Sequence, residues 1–503
     1  MKATFFYRET FSTGVAYLSR VLKTAGHKVD LIFDLNPFNN KFFKSVFLPS
    51  LFDTKKTDLL NQINEDTDIF CFSVMTSDYQ WALNLCRALK KKYPDKPIIL
   101  GGPHPTLVPD IVINEESVDM ICIGEAEESI LKLAELIDKK DKELTVPNIW
   151  YKKNGKIIKN ELKPLSLNLD DIPFPDYDLF YDKMPSFYKR YPVIIASRGC
   201  PFNCTYCASV ALRRVFCSGS SNVKYVRQRS VENVIAELEF LKEKYKIKAL
   251  IFNDDVFSIN TKWLDSFLVE YQRKINVPFL CITHLKTISE RQAYALKAAN
   301  CRLVMVGIQS GSEKFRKTSL KRYESNADII NFSKICRKSR LNFSFNHIFN
   351  FPYETESDIK EAIGLYNKTR PKIIDTYNLT YSPKTEIIDI AIEAGVLNES
   401  DKEKINQGVF PVYYTSYCRK TKRVSNFDKF ALFFTIMPLI PKKVINFLLR
   451  THLYKHFNKL PLILMPGVKL ILNMRTGTSF MQLDPFKKII WYFFNSKSKF
   501  KLR

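Results

Sequence analysis

The sequence predicts an α/β protein: a doubly wound parallel sheet, then a partial barrel of six βα repeats, then a mostly helical, basic C-terminal segment. Three observations carry this. Short apolar and aromatic runs alternate with helix-length amphipathic stretches over residues 1–140 and again from residue 191, as parallel sheets covered by crossover helices require. Residues 141–190 break the rhythm. Residues 411–503 combine apolar stretches with 18 Lys and Arg against two Asp, which is +16 of the chain's net +25.

In the first domain (1–140) the runs at 2–8, 29–33, 69–74, 97–102 and 120–124 read as strands. The stretches at 14–25, 79–92 and 125–137 read as helices. The result is a Rossmann-like sheet. Residues 141–190, rich in Lys, Asn, Asp and Pro and closing on Asp170-Asp171-Ile172-Pro173-Phe174-Pro175, read as a linker, because closely spaced prolines forbid a long helix. From Tyr191, strands at 193–198, 249–253, 278–283, 302–308, 342–349 and 373–381 alternate with helices at 231–245, 261–274, 290–299, 326–339 and 356–368. Six such repeats make a partial (β/α)6 TIM-type barrel over 191–410, a fold that places its chemistry at the carboxyl ends of the strands.

At 503 residues the chain is long enough for two or three domains. Hydrophobic residues at 46% and charged residues at 26% exclude a disordered or fibrous class. The eleven cysteines lack the dense, even spacing of a secreted disulfide scaffold, and no basic-then-apolar leader opens the chain, so a cytoplasmic location is expected. With no run of about 18 apolar residues, no spanning helix is expected either.

Chemistry concentrates in Cys200-Pro201-Phe202-Asn203-Cys204-Thr205-Tyr206-Cys207, directly after the first barrel strand. Three thiols on one short loop suit an iron–sulfur cluster, which thiolates hold. A zinc site would need a fourth Cys or His close by, and the nearest cysteine, Cys217, lies ten residues further on. Three ligands leave one iron open to an outside group. Cys71, Cys86, Cys122, Cys281, Cys301, Cys336 and Cys418 fall mostly in apolar elements, where a free cysteine is a small hydrophobe.

With Arg198-Gly199 before it and Tyr206 before its last cysteine, the loop resembles the C-x3-C-x2-C signature of the radical SAM superfamily. The resemblance implies a [4Fe-4S] cluster on Cys200, Cys204 and Cys207. Its open iron would chelate the amino and carboxylate groups of S-adenosylmethionine, and reductive cleavage would give a 5′-deoxyadenosyl radical. Val226–Val234, Phe252–Phe257 and Gly307–Glu313 extend the likeness. It implies that Tyr206, Asp254, Asp255, Gln309 and Ser310 line the S-adenosylmethionine pocket. Helix caps and turns are the alternative for the last four. Two segments depart from the family pattern: Thr283-His284-Leu285-Lys286 stands where an Arg is common, and Asn350-Phe351-Pro352-Tyr353-Glu354-Thr355 where Gly-x-Pro-Gly-Glu-Thr is common.

Gly101-Gly102-Pro103-His104 and Gly124-Glu125 follow successive strands of the first domain. They resemble the cobalamin-binding domain of the B12-dependent radical SAM subgroup. Ligands of open α/β sheets bind at the carboxyl ends of strands, and glycines there admit a bulky ring. The nucleotide fingerprint G-x-G-x-x-G is absent. No Asp-x-His occurs in the chain, so His104 is expected to be a hydrogen-bonded loop residue rather than a cobalt ligand.

The reading that follows is an enzyme methylating an unactivated carbon of a small-molecule or lipid-like substrate, with an electron donor such as flavodoxin or ferredoxin. Radical cyclisation or rearrangement on the same cofactors is the alternative within the class, and a non-catalytic cofactor sensor the alternative outside it. The basic, apolar 411–503 segment suits contact with an anionic membrane surface or a helical cap on the barrel. No nucleic-acid module is visible, so no nucleic-acid partner is expected.

Overall fold

The computed structural model describes residues 1–34, 59–141, 143–217, 223–409, 427–459 and 464–478. Strands β1 (Lys2–Arg8), β2 (Lys28–Asp34), β3 (Ile69–Ser73), β4 (Ile98–Gly101) and β5 (Met120–Cys122) form a parallel sheet in the order β2-β1-β3-β4-β5. Helices α1 (Thr13–Thr24) and α3 (Glu127–Asp138) cover one face through Val15, Leu22 and Leu133. The other face receives α2 (Tyr79–Lys92) through Ala82 and Leu83. Covered on both sides, strands such as Ile69–Phe72 are apolar throughout instead of alternating.

Part of the expected linker belongs to this sheet. β6 (Ile149–Lys153) and β7 (Lys156–Lys159) form an antiparallel hairpin, and β6 pairs with β5. Its two-residue turn is Asn154-Gly155, with φ of 49° and 72°, the combination that matches the twist of a hairpin. The signal was present in the sequence, but the lysines of an edge strand hid it among polar residues.

The second sheet runs β15-β14-β13-β12-β11-β8, all parallel, as expected for six repeats. Its strands are β8 (Val193–Ile194), β11 (Leu250–Phe252), β12 (Phe279–Thr283), β13 (Cys301–Gln309), β14 (Phe343–Phe349) and β15 (Ile373–Asn378). A small ribbon of β9 (Ser197–Arg198) and β10 (Arg227–Gln228) lies beside it. The covering helices are α4 (Ala208–Cys217), α5 (Val231–Tyr245), α6 (Thr261–Lys274), α7 (Glu290–Ala298), α8 (Asn326–Lys338) and α9 (Glu356–Thr369). Reciprocal capping boxes start three of them, at Ser289/Gln292, Ser325/Asp328 and Thr355/Asp358, each satisfying two otherwise orphaned N–H groups.

The C-terminal helices are part of the barrel's packing. On α10 (Ala431–Ile436), Phe433 and Phe434 are fully buried, and the Phe434 ring lies 5.1 Å from Phe349 and 4.7 Å from His347. α11 (Lys442–Arg450) packs on α9. From α12 (Met465–Thr476), Leu472 and Val468 close against Leu280, Leu303 and Ile373 at the amino ends of the strands. The apolar stretches of this region thus serve at least in part as core. Cys418 and the rest of 411–503 lie outside the described residues.

Candidate active site

The cysteine loop leaves β9 at Gly199, whose φ is +90°; a Cβ there would stand 2.6 Å from the Tyr225 carbonyl, so only glycine fits. The loop is pinned on several sides. Arg213 Nη1 donates to the Cys200 carbonyl at 3.1 Å, Thr205 Oγ1 to the Ser319 carbonyl at 2.8 Å, and the Ile387 N–H to the Thr205 carbonyl at 3.0 Å. Cys204 is buried, while Cys200 and Cys207 are half-buried. Among the described residues no three His, Cys, Asp or Glu side chains converge on a single ion. Cluster ligation makes a different demand, because each thiolate takes its own iron instead of all three converging on one ion.

A buried arginine that sequence reasoning missed faces this loop. Arg322 Nη1 donates to Cys204 Sγ at 3.5 Å and to the Tyr206 hydroxyl at 3.3 Å; Nη2 donates to the Gly307 carbonyl and Nε to Glu324, both at 2.6 Å. Glu324 is itself buried. Burial pushes its carboxyl up, but Arg322 outweighs that and holds it below the usual carboxylate range. No local motif marks Arg322, which in the sequence is one more basic residue among Lys314, Arg316, Lys317 and Lys321.

The expected S-adenosylmethionine residues divide by role. Asp255 is exposed and accepts from Ser209 Oγ at 3.1 Å, while Gln309 ends β13 at φ +67° with its Oε1 buried and without a hydrogen-bond partner among the described residues. Its Nε2 folds against Gly307, where a Cβ would come within 2.5 Å. Tyr206 packs edge-on to Phe351 at 5.5 Å. Asp254 and Ser310, by contrast, are committed to the scaffold with at least one bond each. Asp254 Oδ1 accepts from the Ala196 N–H and from Ser197 Oγ, leaving Oδ2 free, and burial pushes this carboxyl up to about 6. The carbonyl of the fully buried Ser310 accepts from Arg316 Nη1 at 2.8 Å. Both Gln228 amide atoms also lack partners among the described residues.

The two departures from the family pattern keep their places in the geometry. His284 stacks on Phe202 of the cysteine loop at 4.1 Å, and burial brings its imidazole down to about 4, so it is neutral at pH 7. Asn350 and Tyr353 stand where the family pattern has glycine, and both have left-handed φ, 66° and 62°. The backbone bend is retained without its usual residue. A non-glycine residue there costs about 1–2 kcal/mol, while glycine loosens the unfolded chain by about 0.4–1 kcal/mol. Tyr353→Gly is therefore expected to stabilise the protein by about 0.5–1 kcal/mol, read as a raised Tm.

In the first domain, a cavity of about 270 Å³ opens at the carboxyl ends of β1, β3, β4 and β5. Gly101, Gly102, Gly124 and Glu125 line it with Tyr17, Ser73 and, from the barrel domain, Ile195 and Arg198. At Gly102 (φ +94°) a Cβ would lie 2.8 Å from the Val74 nitrogen, and at Gly124 (φ +84°) 2.5 Å from the Phe216 ring. These glycines therefore let the chain's own segments close up as well as shaping the cavity. His104 is not on the cavity wall. It is fully buried, with its ring 4.2 Å from Tyr79 and Nδ1 3.2 Å from Thr76 Oγ1.

Glu125 ties the domains together. Its carboxylate takes both Arg227 guanidinium nitrogens, at 2.8 and 2.7 Å, and Arg198 Nη1 at 3.1 Å. Against the upward push of burial, these arginines hold it below its ordinary value of 4.5. Its contribution to stability is thus complete above that value and drains away as the pH falls below it. Arg227→Ala is expected to cost about 1–3 kcal/mol at pH 7, and Glu125→Gln to flatten the acid side of a Tm-against-pH curve.

Over residues 194–366 the chain matches the radical SAM superfamily, and over residues 6–134 the B12 binding domain. It is 30% identical over 336 residues to an uncharacterised methyltransferase of Pyrococcus horikoshii, covering 66% of this chain and 71% of that one. To the bacteriochlorophyllide d C-8(2)-methyltransferase of Chlorobaculum tepidum it is 24% identical over 364 residues, covering 68% and 72%. The radical S-adenosylmethionine methyltransferase TsrM of Kitasatospora setae, solved with tryptophan and an S-adenosylmethionine analogue, superposes with a TM-score of 0.60 at 15% identity over 79% of this chain and 77% of that one. At that identity the likeness speaks for the fold. A doubly wound sheet joined to a six-stranded parallel barrel is, with these matches, the framework of a radical SAM enzyme. The chain belongs to the B12-binding, cobalamin-dependent radical SAM family, whose cofactors are a [4Fe-4S] cluster, S-adenosylmethionine and cobalamin. Among the described residues no helix is long and apolar enough to cross a membrane.

Proposed function

We propose that this enzyme methylates an unactivated carbon of a small molecule, with Cys200, Cys204 and Cys207 holding the cluster. The observation that carries the reading is the shared wall of the two sites. The cavity of the first domain is bounded by Ile195 and Arg198, and Arg198 stands two residues before Cys200 in the same segment. A cofactor in that cavity and one on the cysteine loop are therefore neighbours. When bound, the cluster supplies the electron that cleaves S-adenosylmethionine, and cobalamin supplies the methyl group.

The chain's own residues orient and shield. Arg322 offsets negative charge at Cys204 and positions Tyr206. Asp255 and Gln309 offer free acceptors to the amino and ribose groups of S-adenosylmethionine, while Asp254 and Ser310 brace the first strand loop and the β13 turn. Gly101, Gly102, Gly124 and Glu125 shape the cobalamin cavity. His104 lies in the core behind it, off the cavity wall.

The electron comes from an external donor of the flavodoxin or ferredoxin type. On α11, Val444 and Phe447 are exposed among Lys442, Lys443 and Arg450, a face suited to an anionic membrane surface from the cytoplasmic side, which also favours a lipid-like substrate. Anaerobically reconstituted protein, reduced and given S-adenosylmethionine with candidate acceptors, should release 5′-deoxyadenosine and a product heavier by one methyl group. A product of unchanged carbon count would turn the reading to cyclisation or rearrangement. Failure to float with anionic liposomes would remove the membrane contact.

A further inference from the structure

At the amino end of β15, on the opposite side of the barrel from the cysteine loop, a cavity of about 190 Å³ is lined by Arg370, Pro371, Lys372, Pro438 and Arg475. Three segments far apart in sequence build it: the end of α9, the stretch after α10 and the last turn of α12. Three of its five lining residues are cationic, and no carboxylate lines it. Arg370 occupies the left-handed cap of α9 (φ 54°). Its guanidinium is held by neutral acceptors: Asn367 Oδ1 at 3.2 Å and the carbonyls of Met437, Pro438 and Ile440 at 3.4, 3.3 and 2.8 Å. Those bonds fix its position without cancelling its charge. Burial, and then the like charge of Arg475, push Arg370 below its ordinary value. Two guanidiniums and an ammonium around one hollow repel one another unless something negative lies between them.

We propose that this hollow binds a phosphate-type oxyanion, which bridges Arg370 and Lys372 of the barrel to Arg475 of α12. Arg370, its four Nη hydrogens already given to Asn367 and the three carbonyls, contributes charge and a fixed wall, while the Arg475 guanidinium offers the fork that matches such an anion in geometry as well as charge. The volume suits it: liquid water takes about 30 Å³ per molecule, so the cavity has room for a phosphate group and a few waters. Lying at the amino end of the barrel, the site does not take the group that reacts. It fastens the C-terminal helices to the barrel. The anion has two sources with the same chemistry, a free phosphate compound or a phospholipid headgroup; the exposed Leu439 beside Pro438 and the start of α11 just beyond bear on the second.

The test uses full-length reconstituted holoenzyme at low ionic strength, titrated calorimetrically with inorganic phosphate, beside Lys372→Gln, Arg475→Gln and, as a surface control, Lys455→Gln. The expected result is one saturable site that stabilises the protein thermally. Affinity should fall about tenfold or more in the Lys372 and Arg475 variants, as the loss of a charged hydrogen bond implies, and stay unchanged in Lys455→Gln. Release of 5′-deoxyadenosine by the variants should equal that of the unsubstituted protein, which shows them folded. Flotation with phosphatidylcholine vesicles, with and without phosphatidic acid, identifies the source: Arg475-dependent capture only with phosphatidic acid assigns a headgroup, and phosphate binding without capture assigns a free compound. Absence of saturable phosphate binding together with absence of Arg475-dependent capture overturns the proposal, as does binding that the Lys372 and Arg475 substitutions leave unchanged.

Discussion

Cys204→Ala is expected to reduce 5′-deoxyadenosine release from reduced, reconstituted protein to the level of a protein-free control. Cys204 is the buried member of the three thiols, and its loop neighbour Thr205 is tied to the barrel through the Ser319, Leu320 and Ile387 backbone, so no other cysteine can swing into its place. Cys217, at the end of α4, is the nearest in sequence. Cys200→Ala and Cys207→Ala should behave alike, and iron and sulfide content should fall with activity. Because these backbone contacts do not involve the thiol, the protein should remain folded, and its far-ultraviolet circular dichroism should match that of the unsubstituted chain. Zinc retained at one ion per chain with no deoxyadenosine formed would assign a structural metal site instead.

The second large effect is expected at Arg322. Replacing it by Leu removes the partner of buried Glu324 along with the donors to Cys204 and Tyr206. Breaking one side of a buried ion pair costs about 3–5 kcal/mol, because the remaining carboxylate must either stay charged without a partner or take up a proton. Glu324 lies below its ordinary value in the folded protein, so the stabilisation it gains from Arg322 is complete above the usual carboxylate range and lost as the pH falls through it. The gap in stability between Arg322→Leu and the unsubstituted protein should therefore be full at pH 7 and narrow on acidification, as urea unfolding at several pH values would show. Arg322→Lys keeps the charge but not the fork. It should recover part of the stability while leaving cluster content low; full recovery of both would mean that charge alone matters at this position.

Much of this architecture was legible from periodicity. Runs such as Ile69–Phe72 and Leu250–Phe252 are short, apolar and bounded by helix-length stretches, which announces buried parallel strands. Gly199, Gly102 and Gly124 marked strand ends because each holds a left-handed backbone that side chains resist. The hairpin at Asn154-Gly155 was also legible, by its turn, and was obscured only by the lysines of an edge strand. The cysteine spacing stood out because the three thiols share one loop. Arg322 and the Arg198–Arg227–Glu125 clamp did not, since Arg322 meets Cys204 and Tyr206, and Glu125 meets its arginines, across more than 70 residues, and no spacing rule connects them.

The sequence by itself determined the order and type of the elements, the two-domain framework and the three thiols, because these depend on local periodicity and on residues close together in the chain. Only the tertiary structure decided which polar residues face open space and which are spent on the scaffold. It set the exposed Asp255 apart from the buried Asp254 and Ser310, withdrew His104 from the cavity wall, and turned the apolar stretch around Phe433 and Phe434 into barrel packing. The physical reason is that a buried polar atom must find its partner wherever the fold brings one, and that choice is made between segments that the chain keeps far apart.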